Sequence, residues 1–417
     1  MKSYIIEGGS KVCGTIKVSG SKNAALPILA ATILNSGDSK LYNIPNISDT
    51  KNTLEILGIL GCKIKRNSGK IEVNSRNMNK FEIPEELMHK MRSTVILAGA
   101  ILGRFKEVIF TYPGGCDIGS RPIDLHINAF KKMGIEVKEE AGRIRCKTNR
   151  IIGADINLDF PSVGATENVM LAAVLADGTT TIHNAAMEPE IVDLATFLKK
   201  MGAKIDGAGT SIITIKGVTK LTNVNYNIMP DRIEAGTFLC VAAATGGNVT
   251  LKNANPGHLS AVINKLEECG CTITTSNNSI QIIAPKRLKQ IEIKTMTYPG
   301  FPTDMQQVFV AMLLKSSGTS VVVENIFESR YKYISEIRKT NAKITIEGRS
   351  AIITGKRKIT ASDMCCTDLR GGAAIVIAAL MAKGKSRVSN IEYILRGYED
   401  FDKKLNAIGA KIKLEDY

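Results

Sequence analysis

Six copies of one pattern divide the sequence, and this repetition constrains the fold more than any other feature. In each copy an amphipathic helical segment ends at a glycine or asparagine, and an apolar strand pattern follows. These turn residues, about 70 residues apart, are Gly61, Gly134, Gly202, Gly270, Asn341 and Gly409. That spacing exceeds a solenoid repeat and fits a βαβαββ-sized unit. Because both residue types suit the left-handed backbone that ends many helices, the pattern predicts an α/β protein of six related units.

Each unit also contains a strongly apolar, alanine-rich helix. We expect these helices at Ser21–Leu34, Lys90–Leu102, Ala165–Ala176, Arg232–Ala244, Thr303–Leu314 and Asp368–Ala382. They are apolar on nearly all sides, so they should be buried. Six such helices predict two domains in which sheets enclose three helices each. We place the boundary near Met229-Pro230, with a first domain of residues 22–229 and a second of residues 1–21 and 230–417.

The composition limits the class of protein. The chain has 417 residues, a formal net charge of +15 and nine scattered cysteines. No apolar run reaches the roughly 18 residues of a membrane span, and the N-terminus lacks a signal-peptide pattern. The cysteine and histidine spacing fits no standard zinc site, so we expect a soluble, reduced, cytoplasmic protein without a metal. The positive charge favours an anionic partner. Nucleic acid is one candidate, but the sequence has no aromatic residues interleaved with its basic clusters, as stacking on bases would require. A small polyanionic substrate fits the charge equally well.

Cationic residues gather at the predicted helix starts. Helix N-termini carry unpaired N–H groups and a positive dipole end, which bind anions. Ordinary capping explains Thr303, Thr367 and Asp231. It does not explain Lys22, Arg92 and Arg370, because a cation at a helix N-terminus is unfavourable unless an anion offsets it. We therefore expect a positive pocket where these helix starts point inward between the domains.

The segment Pro113–His126 is where we expect the chemistry. Its prolines and glycines predict a loop, and it carries Cys116 five residues before Arg121. From the residues alone two interpretations stay open. Cys116 is a small buried hydrophobe, as most cysteines are, or an accessible thiol whose thiolate Arg121 stabilises. The glycines favour exposure, and they would allow the loop to close over a substrate as a lid.

Seven stretches of the sequence form long and specific motifs. They are Gly20–Pro27, Pro113–Cys116, Gly119–His126, Ser162–Thr166, Phe301–Gln306, Thr367–Arg370 and Arg396–Glu399. In this order, over essentially the whole chain, they resemble the UDP-N-acetylglucosamine 1-carboxyvinyltransferase family of enolpyruvyl transferases. The resemblance implies a fold of two inside-out α/β barrels, each of three repeats, with the active site in the cleft between them.

The resemblance also implies an activity. An enolpyruvyl group would move from phosphoenolpyruvate to the 3-hydroxyl of UDP-N-acetylglucosamine, with release of phosphate, by addition and then elimination. This is the first committed step of peptidoglycan synthesis, and it supports cell-wall biogenesis, cell shape and cell division. The family implies no cofactor, no nucleic-acid partner and no membrane partner, and it implies covalent inhibition by fosfomycin.

The family's site residues carry over to matching positions of this sequence. The catalytic set is Cys116, Asp304, Asp368, Lys22 and Arg396. The phosphoenolpyruvate contacts are Lys22, Asn23, Arg121, Arg330, Arg370 and Arg396. The UDP-N-acetylglucosamine contacts are Asn23, Arg92, Arg121, Pro122, Ile123, Asp124, Leu125, Ser162, Val163, Gly164, Asp304 and Ile326.

Three of these residues have implied roles in proton transfer. Asp304 would take the proton of the sugar hydroxyl, and Asp368 would assist proton movement. Cys116 would donate a proton to C3 of phosphoenolpyruvate, and it would also form a covalent pyruvate adduct. The sequence leaves open which of the two roles of Cys116 dominates.

One position departs from the family pattern. Phe160 stands two residues before Ser162, where some members have a lysine near the diphosphate. The version Asp159–Ser162 resembles the second isoform found in some Gram-positive bacteria, and it leaves that one diphosphate contact unassigned.

Two other functions compete with this interpretation. The enolpyruvyl transferase that acts on shikimate-3-phosphate shares the fold, but its Lys-Ser pair and Asn-Ala-Gly-Thr run are absent here. A non-catalytic relative that binds nucleic acid or regulates is permitted by the charge. Such a protein would not need a thiol and two carboxylates in an anion pocket.

Overall fold

The computed structural model describes residues 2–67, 69–114, 119, 122–356 and 358–416. These residues form two compact units, each with its own apolar core. The N-terminal unit contains residues 20–114 and 122–229, and the C-terminal unit contains residues 2–19, Gly119 and 230–416. Cys116 and Arg121 of the predicted site lie outside the described residues. The α/β architecture predicted from the repeat is confirmed.

Both units are built from strands and helices. The strands are β1 (Lys2–Gly8), β2 (Cys13–Lys17), β3 (Asp38–Tyr42), β4 (Lys63–Asn67), β5 (Lys70–Asn74), β6 (Glu107–Thr111), β7 (Glu136–Glu140), β8 (Arg143–Lys147), β9 (Asp155–Asn157), β10 (Thr179–His183), β11 (Lys204–Asp206), β12 (Ile212–Lys216), β13 (Val224–Asn227), β14 (Asn248–Lys252), β15 (Thr272–Ser276), β16 (Ser279–Ile283), β17 (Glu292–Lys294), β18 (Thr319–Val323), β19 (Lys343–Glu347), β20 (Ser350–Thr354), β21 (Asp363–Cys365), β22 (Gly384–Ser389) and β23 (Lys411–Asp416). The α-helices are α1 (Lys22–Ala31), α2 (Ser48–Ile59), α3 (Glu85–Lys90), α4 (Leu97–Phe105), α5 (Asp124–Lys132), α6 (Val163–Ala173), α7 (Pro189–Lys200), α8 (Arg232–Thr245), α9 (Ser260–Glu268), α10 (Gln306–Leu313), α11 (Ile334–Arg338), α12 (Leu369–Met381), α13 (Glu392–Leu395) and α14 (Phe401–Ala407). Short 3₁₀ turns are Arg92–Ile96, Pro256–His258 and Thr303–Met305.

Three sheets stand in each unit of the described chain. The N-terminal unit has the strand orders β13-β3-β5-β4, β11-β12-β10-β9 and β6-β8-β7, and the C-terminal unit has β15-β16-β14-β2, β17-β18-β20-β19 and β21-β22-β1-β23. Every four-stranded sheet joins one parallel pair to two antiparallel pairings, as in β17-β18-β20-β19. One sheet plan thus recurs in each sequence repeat, with one strand fewer in β6-β8-β7. No sheet among the described residues closes on itself.

Apolar helices form the interior of each unit. In the C-terminal unit α8, α10 and α12 pack pairwise, and they lie against the strands β14, β18 and β1, respectively. Every residue of α10 and α12 is buried. In the N-terminal unit α4 packs on both α1 and α6. The predicted burial of these helices is therefore confirmed.

The predicted single helix Lys90–Leu102 is wrong. The chain ends α3 at Lys90, extends at Met91 (φ −155°, ψ 145°), makes the 3₁₀ turn and only then begins α4. The Thr94 hydroxyl donates to the carbonyls of Met91 (2.7 Å) and Met88 (3.3 Å). Such local side-chain bonds compete with α-helix, and the β-branched run that follows Ser93 disfavours it further.

The six predicted turn residues all adopt positive φ. The values are 105° at Gly61, 77° at Gly134, 102° at Gly202, 92° at Gly270, 64° at Asn341 and 94° at Gly409. Each follows a helix and precedes a strand, so the predicted left-handed helix ends are confirmed.

Two carboxylates, Glu234 and Asp193, bind the chain next to two of the points where it crosses between the units, after Ser19 and after Met229. Within the C-terminal unit, Glu234 accepts a hydrogen bond from the Ser19 N–H (2.8 Å) and is ion-paired with Lys404. Within the N-terminal unit, Asp193 accepts hydrogen bonds from the Met229 N–H at 3.3 Å and from a tyrosine hydroxyl at 2.6 Å. Burial raises the pKa of Glu234 to about 7 and that of Asp193 to about 6.

The raised pKa of Glu234 predicts a pH-dependent stability. Between its ordinary pKa of 4.5 and the folded value of about 7, the folded protein holds a proton that the unfolded chain releases. Stability contributed by protonated Glu234 is therefore lost as pH rises through this window, by up to about 3 kcal/mol. Glu234→Gln cannot ionise, so its free energy of unfolding should fall less between about pH 5 and about pH 7.5. Urea unfolding of both proteins at both pH values measures this difference, and equal pH dependence would contradict it.

Candidate active site

Asp304 lies at the centre of a charged cluster in the C-terminal unit. Arg330 Nη2 donates to Asp304 Oδ1 at 2.6 Å, and Arg370 Nε and Nη2 donate to Oδ2 at 3.3 and 3.2 Å. Both arginine side chains are 4% exposed, whereas that of Asp304 is 27% exposed. Charge-assisted bonds of this kind fix all three groups, and two guanidinium groups against one carboxylate leave an excess positive charge. The structure thus brings together three predicted site residues that lie far apart in sequence.

Arg370 retains a donor that the cluster does not use. Its guanidinium lies over the Tyr398 ring, 5.2 Å from the ring centroid, and Tyr398 bonds in turn to the Thr237 hydroxyl at 2.9 Å. Nη1 of Arg370 is buried and makes no hydrogen bond within the described part of the chain. Buried donors are almost always satisfied in folded proteins, so this atom is suited to an anionic ligand.

Asp368 caps helix α12. Its Oδ1 accepts hydrogen bonds from the backbone N–H groups of Arg370 (3.0 Å) and Gly371 (2.9 Å), and its Oδ2 accepts one from the Thr367 hydroxyl. The expected capping by Thr367 is therefore wrong, as is that by Thr303, whose hydroxyl instead donates to Glu324. The expected capping by Asp231 is confirmed, because its Oδ1 accepts hydrogen bonds from the Ile233 and Glu234 N–H groups at the start of α8. Asp is among the best capping residues, and here it also sets the start of the helix that carries Arg370.

Two further predicted residues lie near this cluster in sequence. Ile326 is partly buried, and its N–H donates to Glu324 Oε1 at 2.8 Å. Arg396 is partly buried, directly follows α13 and precedes by two residues the tyrosine on which Arg370 stacks.

Lys22 and Asn23 begin helix α1 in the N-terminal unit. Lys22 Nζ lies 2.9 Å from Asp49 Oδ2, and the Asp49 side chain is only 1% exposed. This carboxylate offsets part of the unfavourable placement of a cation at a helix start, so the dipole argument alone does not demand a ligand. Sequence reasoning missed Asp49. The available signal was its place in the first turn of α2, where acidic residues are favoured.

The predicted nucleotide-sugar contacts of the N-terminal unit occupy two helix starts. Pro122 and Ile123 lead into α5, whose first residues are Asp124 and Leu125. The Pro122 carbonyl accepts a hydrogen bond from Arg92 Nη2 at 3.2 Å. The second start is at α6, where the Ser162 hydroxyl caps the helix and Val163 and Gly164 follow. Both starts present backbone N–H groups of the kind that bind phosphate oxygens.

His126 connects these two helix starts. It is buried in α5, and a Cβ at Gly164 would lie 3.2 Å from its Cε1 atom. Asn168 of α6 bonds to His126 Nδ1 (2.7 Å), to the Val95 carbonyl (3.0 Å) and to the Gly99 N–H (2.7 Å). Burial and the nearby Arg92 lower the pKa of His126 to about 4, so it is neutral near pH 7. With Asn168 donating to Nδ1, the imidazole proton is on Nε2.

Phe160 lies two residues before Ser162, the residue that caps α6. Its side chain is 44% exposed, and its carbonyl accepts a hydrogen bond from the Ser162 N–H at 2.6 Å. The phenyl ring offers no charge to a diphosphate at this point.

The ranges that the structure describes contain neither a metal-ligand cluster nor a membrane-spanning helix. No three His, Cys, Asp or Glu side chains there are grouped as a metal site would require. None of the helices in those ranges is both long and apolar enough to cross a membrane.

The fold is that of the enolpyruvyl transferases. The enolpyruvyl transferase NikO from Streptomyces tendae superposes with a TM-score of 0.89 at 21% identity, over 99% of this chain and 98% of that one. The EPSP synthase from Acinetobacter baumannii superposes with a TM-score of 0.76 at 18% identity, over the full length of both chains. At these identities the likeness establishes the fold alone.

Comparison of sequences identifies the family within this fold. Residues 6–405 match the family described as EPSP synthase (3-phosphoshikimate 1-carboxyvinyltransferase). The UDP-N-acetylglucosamine 1-carboxyvinyltransferase 2 of Caldanaerobacter subterraneus is 50% identical over 99% of both chains, and enzyme 1 of that organism is 45% identical over 98% of both. Enzyme 1 of Carboxydothermus hydrogenoformans is 46% identical over 99% of this chain and 98% of its own. The chain therefore belongs to the EPSP synthase family of enolpyruvyl transferases, in the branch of the UDP-N-acetylglucosamine 1-carboxyvinyltransferases.

Proposed function

We propose that this protein transfers the enolpyruvyl group of phosphoenolpyruvate to the 3-hydroxyl of UDP-N-acetylglucosamine and releases phosphate. The observation that carries the proposal is the 45–50% identity, over nearly the full length, to enzymes named for this reaction. The positive cluster around Asp304 supports it independently, because phosphoenolpyruvate concentrates several negative charges in a small volume. In a cell wall-forming bacterium the product would enter peptidoglycan synthesis.

Binding of phosphoenolpyruvate is proposed to use several cationic side chains. Arg370 would offer its buried Nη1 to the carboxylate while Nε and Nη2 stay on Asp304. Lys22 and Arg396 would contact the phosphate, together with Arg121 and Arg330. Guanidinium groups suit both anions because their planar donors match two oxygens at once.

Proton transfer is proposed to begin at Asp304. Its carboxylate would take the proton of the sugar 3-hydroxyl as that oxygen bonds to C2, while C3 gains a proton from Cys116. In the elimination that follows, the Cys116 thiolate left by the first step would take a proton back from C3, and the C–H electrons would form the C2=C3 double bond. The C2–O bond to phosphate breaks at the same time, so phosphate leaves with the bonding electrons. Arg330 and Arg370 hold Asp304 from two sides, and this fixes the direction in which its lone pairs point. Asp368 would contribute by placing the start of α12.

Recognition of the uridine and the diphosphate is proposed to use residues of the N-terminal unit. Pro122 to Leu125 would hold the uridine end, and Ser162 to Gly164 would present N–H groups to the diphosphate. Arg92, Asn23 and Ile326 would add contacts to the sugar. The greater identity to enzyme 2 than to enzyme 1 of Caldanaerobacter agrees with the exposed Phe160 in supporting an isoform-2 assignment.

A cytoplasmic location is also proposed. All eight cysteines of the described ranges are free thiols, as a reducing compartment would keep them. The substrates proposed here are likewise soluble phosphorylated metabolites.

Phosphate release tests the proposed function directly. With phosphoenolpyruvate present, we expect release when UDP-N-acetylglucosamine is the acceptor and none when shikimate-3-phosphate is. Release only with shikimate-3-phosphate would keep the family and overturn the acceptor. No release with either acceptor would leave a non-catalytic anion-binding protein.

Fosfomycin tests the proposed role of the Cys116 thiol. We expect it to abolish turnover and to add its mass at Cys116. Cys116→Ser should lose turnover and labelling but still bind UDP-N-acetylglucosamine. Cys13 is an exposed thiol of the C-terminal unit, so Cys13→Ser is the matched control and should be labelled and inhibited like the wild type. An unlabelled wild-type protein, or label confined to Cys13, would contradict the assignment.

A further inference from the structure

Glu324 is a buried carboxylate that the proposed reaction does not use. It follows β18, and its side chain is 1% exposed. Oε1 accepts hydrogen bonds from the Ile326 N–H (2.8 Å), the Phe327 N–H (3.1 Å) and the Thr295 hydroxyl (2.9 Å). Oε2 accepts one from the Thr303 hydroxyl at 2.9 Å. One side chain therefore ties together three separate segments of the C-terminal unit.

Two of these bonds lead to Asp304. Thr303 is the residue directly before it, in the same 3₁₀ turn. Phe327 leads there by a second route, because its ring lies 5.3 Å from the guanidinium carbon of Arg330, which donates to Asp304. The Glu324 carboxylate is thus linked to the Asp304 side chain through Thr303 alone and through Phe327 and Arg330.

We propose that Glu324 is a positioning residue, which fixes the direction of the Asp304 carboxylate through Thr303 and Phe327 and places the Ile326 segment. This assignment rests on the proposed function, because Asp304 and Ile326 are assigned to substrate there. The assignment goes beyond the proposed function, because a buried acid with no part in the reaction itself would position both the base and a nucleotide-sugar contact.

A purely structural role is the alternative. Buried N–H groups need acceptors, and a carboxylate at this place would satisfy those of Ile326 and Phe327 whatever the protein does. The two roles differ in what a small displacement does. If Glu324 only satisfies the backbone N–H groups, a small displacement of its carboxylate lowers stability but not turnover. If it positions Asp304, moving that base by about 1 Å lowers turnover steeply.

Steady-state kinetics of five single variants separate the roles. Glu324→Asp keeps the charge but withdraws the carboxylate by one carbon–carbon bond, about 1.5 Å. We expect its kcat to fall at least about tenfold and its KM for UDP-N-acetylglucosamine to rise. Glu324→Gln keeps the length of the side chain. Its amide oxygen can still accept from the backbone N–H groups, and its NH₂ group can donate a hydrogen bond to the Thr303 hydroxyl. Its kcat should therefore stay within about threefold of wild type.

The threonine variants isolate the bond beside Asp304. Thr303→Val removes only that hydroxyl, so kcat should fall about tenfold with KM nearly unchanged, and Thr303→Ser should restore it. Thr295→Val is the comparison: it removes another hydroxyl from the same carboxylate, together with the acceptor of the Asn325 N–H at 2.8 Å, on a segment that does not carry the base. Its kcat should stay within about twofold of wild type. Urea midpoints measured alongside identify any variant whose fold is compromised.

Each outcome decides the assignment. It is overturned if Glu324→Asp and Thr303→Val both keep wild-type kcat, or if Thr295→Val loses as much as Thr303→Val. If kcat fell equally in Glu324→Gln and Glu324→Asp, the assignment would also be overturned, because the negative charge of Glu324 and not the position of its carboxylate would then matter. A wild-type protein without turnover would overturn the proposed function and this assignment together, whereas an active wild type with indifferent variants would overturn this assignment alone.

Discussion

Asp304→Asn is expected to lower kcat by roughly a thousandfold, the middle of the range for losing a general base. The amide matches the carboxylate in shape but cannot take the proton of the sugar hydroxyl. It also removes the negative charge that Arg330 and Arg370 share at 2.6 and 3.2 Å. Single-turnover measurement of phosphate release, with UDP-N-acetylglucosamine saturating, reports the chemical step without interference from product release.

Controls must distinguish a loss of the chemical step from a loss of substrate binding or of folding. Calorimetric titration with UDP-N-acetylglucosamine should give an affinity close to that of the wild type, because the proposed uridine and diphosphate contacts lie on other residues. Asp206→Asn is a suitable control, since this carboxylate is exposed on β11 and has no proposed role. If Asp304→Asn kept more than about a tenth of wild-type turnover, Asp304 would not be the base.

The repeat predicted the fold because it is a local signal. Helix ends need a left-handed residue, buried helices need apolar faces on all sides, and both requirements can be read within a few positions. The prediction of a single helix over Lys90–Leu102 was wrong for an equally local reason, which the apolar pattern did not reveal. There the Thr94 hydroxyl bonds to two backbone carbonyls and favours a 3₁₀ turn over a regular helix.

The site was predicted only where motifs identify residues one by one. Asp304, Arg330 and Arg370 were each named from the sequence, but nothing in the sequence placed both guanidinium groups on the same carboxylate. That contact depends on residues 26 and 66 positions apart. Glu324 was missed altogether, because a buried acid at a strand end resembles any other polar residue until its four donors are known.

The cations at the helix starts show which part of the electrostatics a sequence leaves undetermined. Lys22 and Arg370 were expected to require a bound anion, since a helix dipole opposes a cation at its N-terminus. In the structure Asp49 and Asp304, respectively, already supply negative charge. A sequence gives the sign of each charge but not which charges the fold brings together, so the expectation of an anion site needed the additional finding of a buried, unused Arg370 donor.

Lys22→Met is expected to impair both catalysis and stability. Loss of a charge-assisted bond to phosphate should lower kcat/KM for phosphoenolpyruvate by roughly a hundredfold. The same change leaves Asp49, which is 1% exposed, without the ammonium group at 2.9 Å. Removing one partner of a buried ion pair destabilises a protein by up to about 3 kcal/mol, because the remaining charge is uncompensated. Steady-state kinetics and urea unfolding measure the two effects separately.

A double variant determines whether the kinetic loss is only a consequence of the structural one. In Lys22→Met/Asp49→Asn neither charge remains, so most of the lost unfolding free energy should return. Turnover should not return, because asparagine at position 49 supplies no cation for the phosphate. If the double variant recovered both, Lys22 would serve chiefly to neutralise Asp49, and binding of phosphoenolpyruvate would depend on the arginines alone. If it recovered neither, the two residues would not form an isolated pair, and Asp49 would have to act on substrate through other contacts.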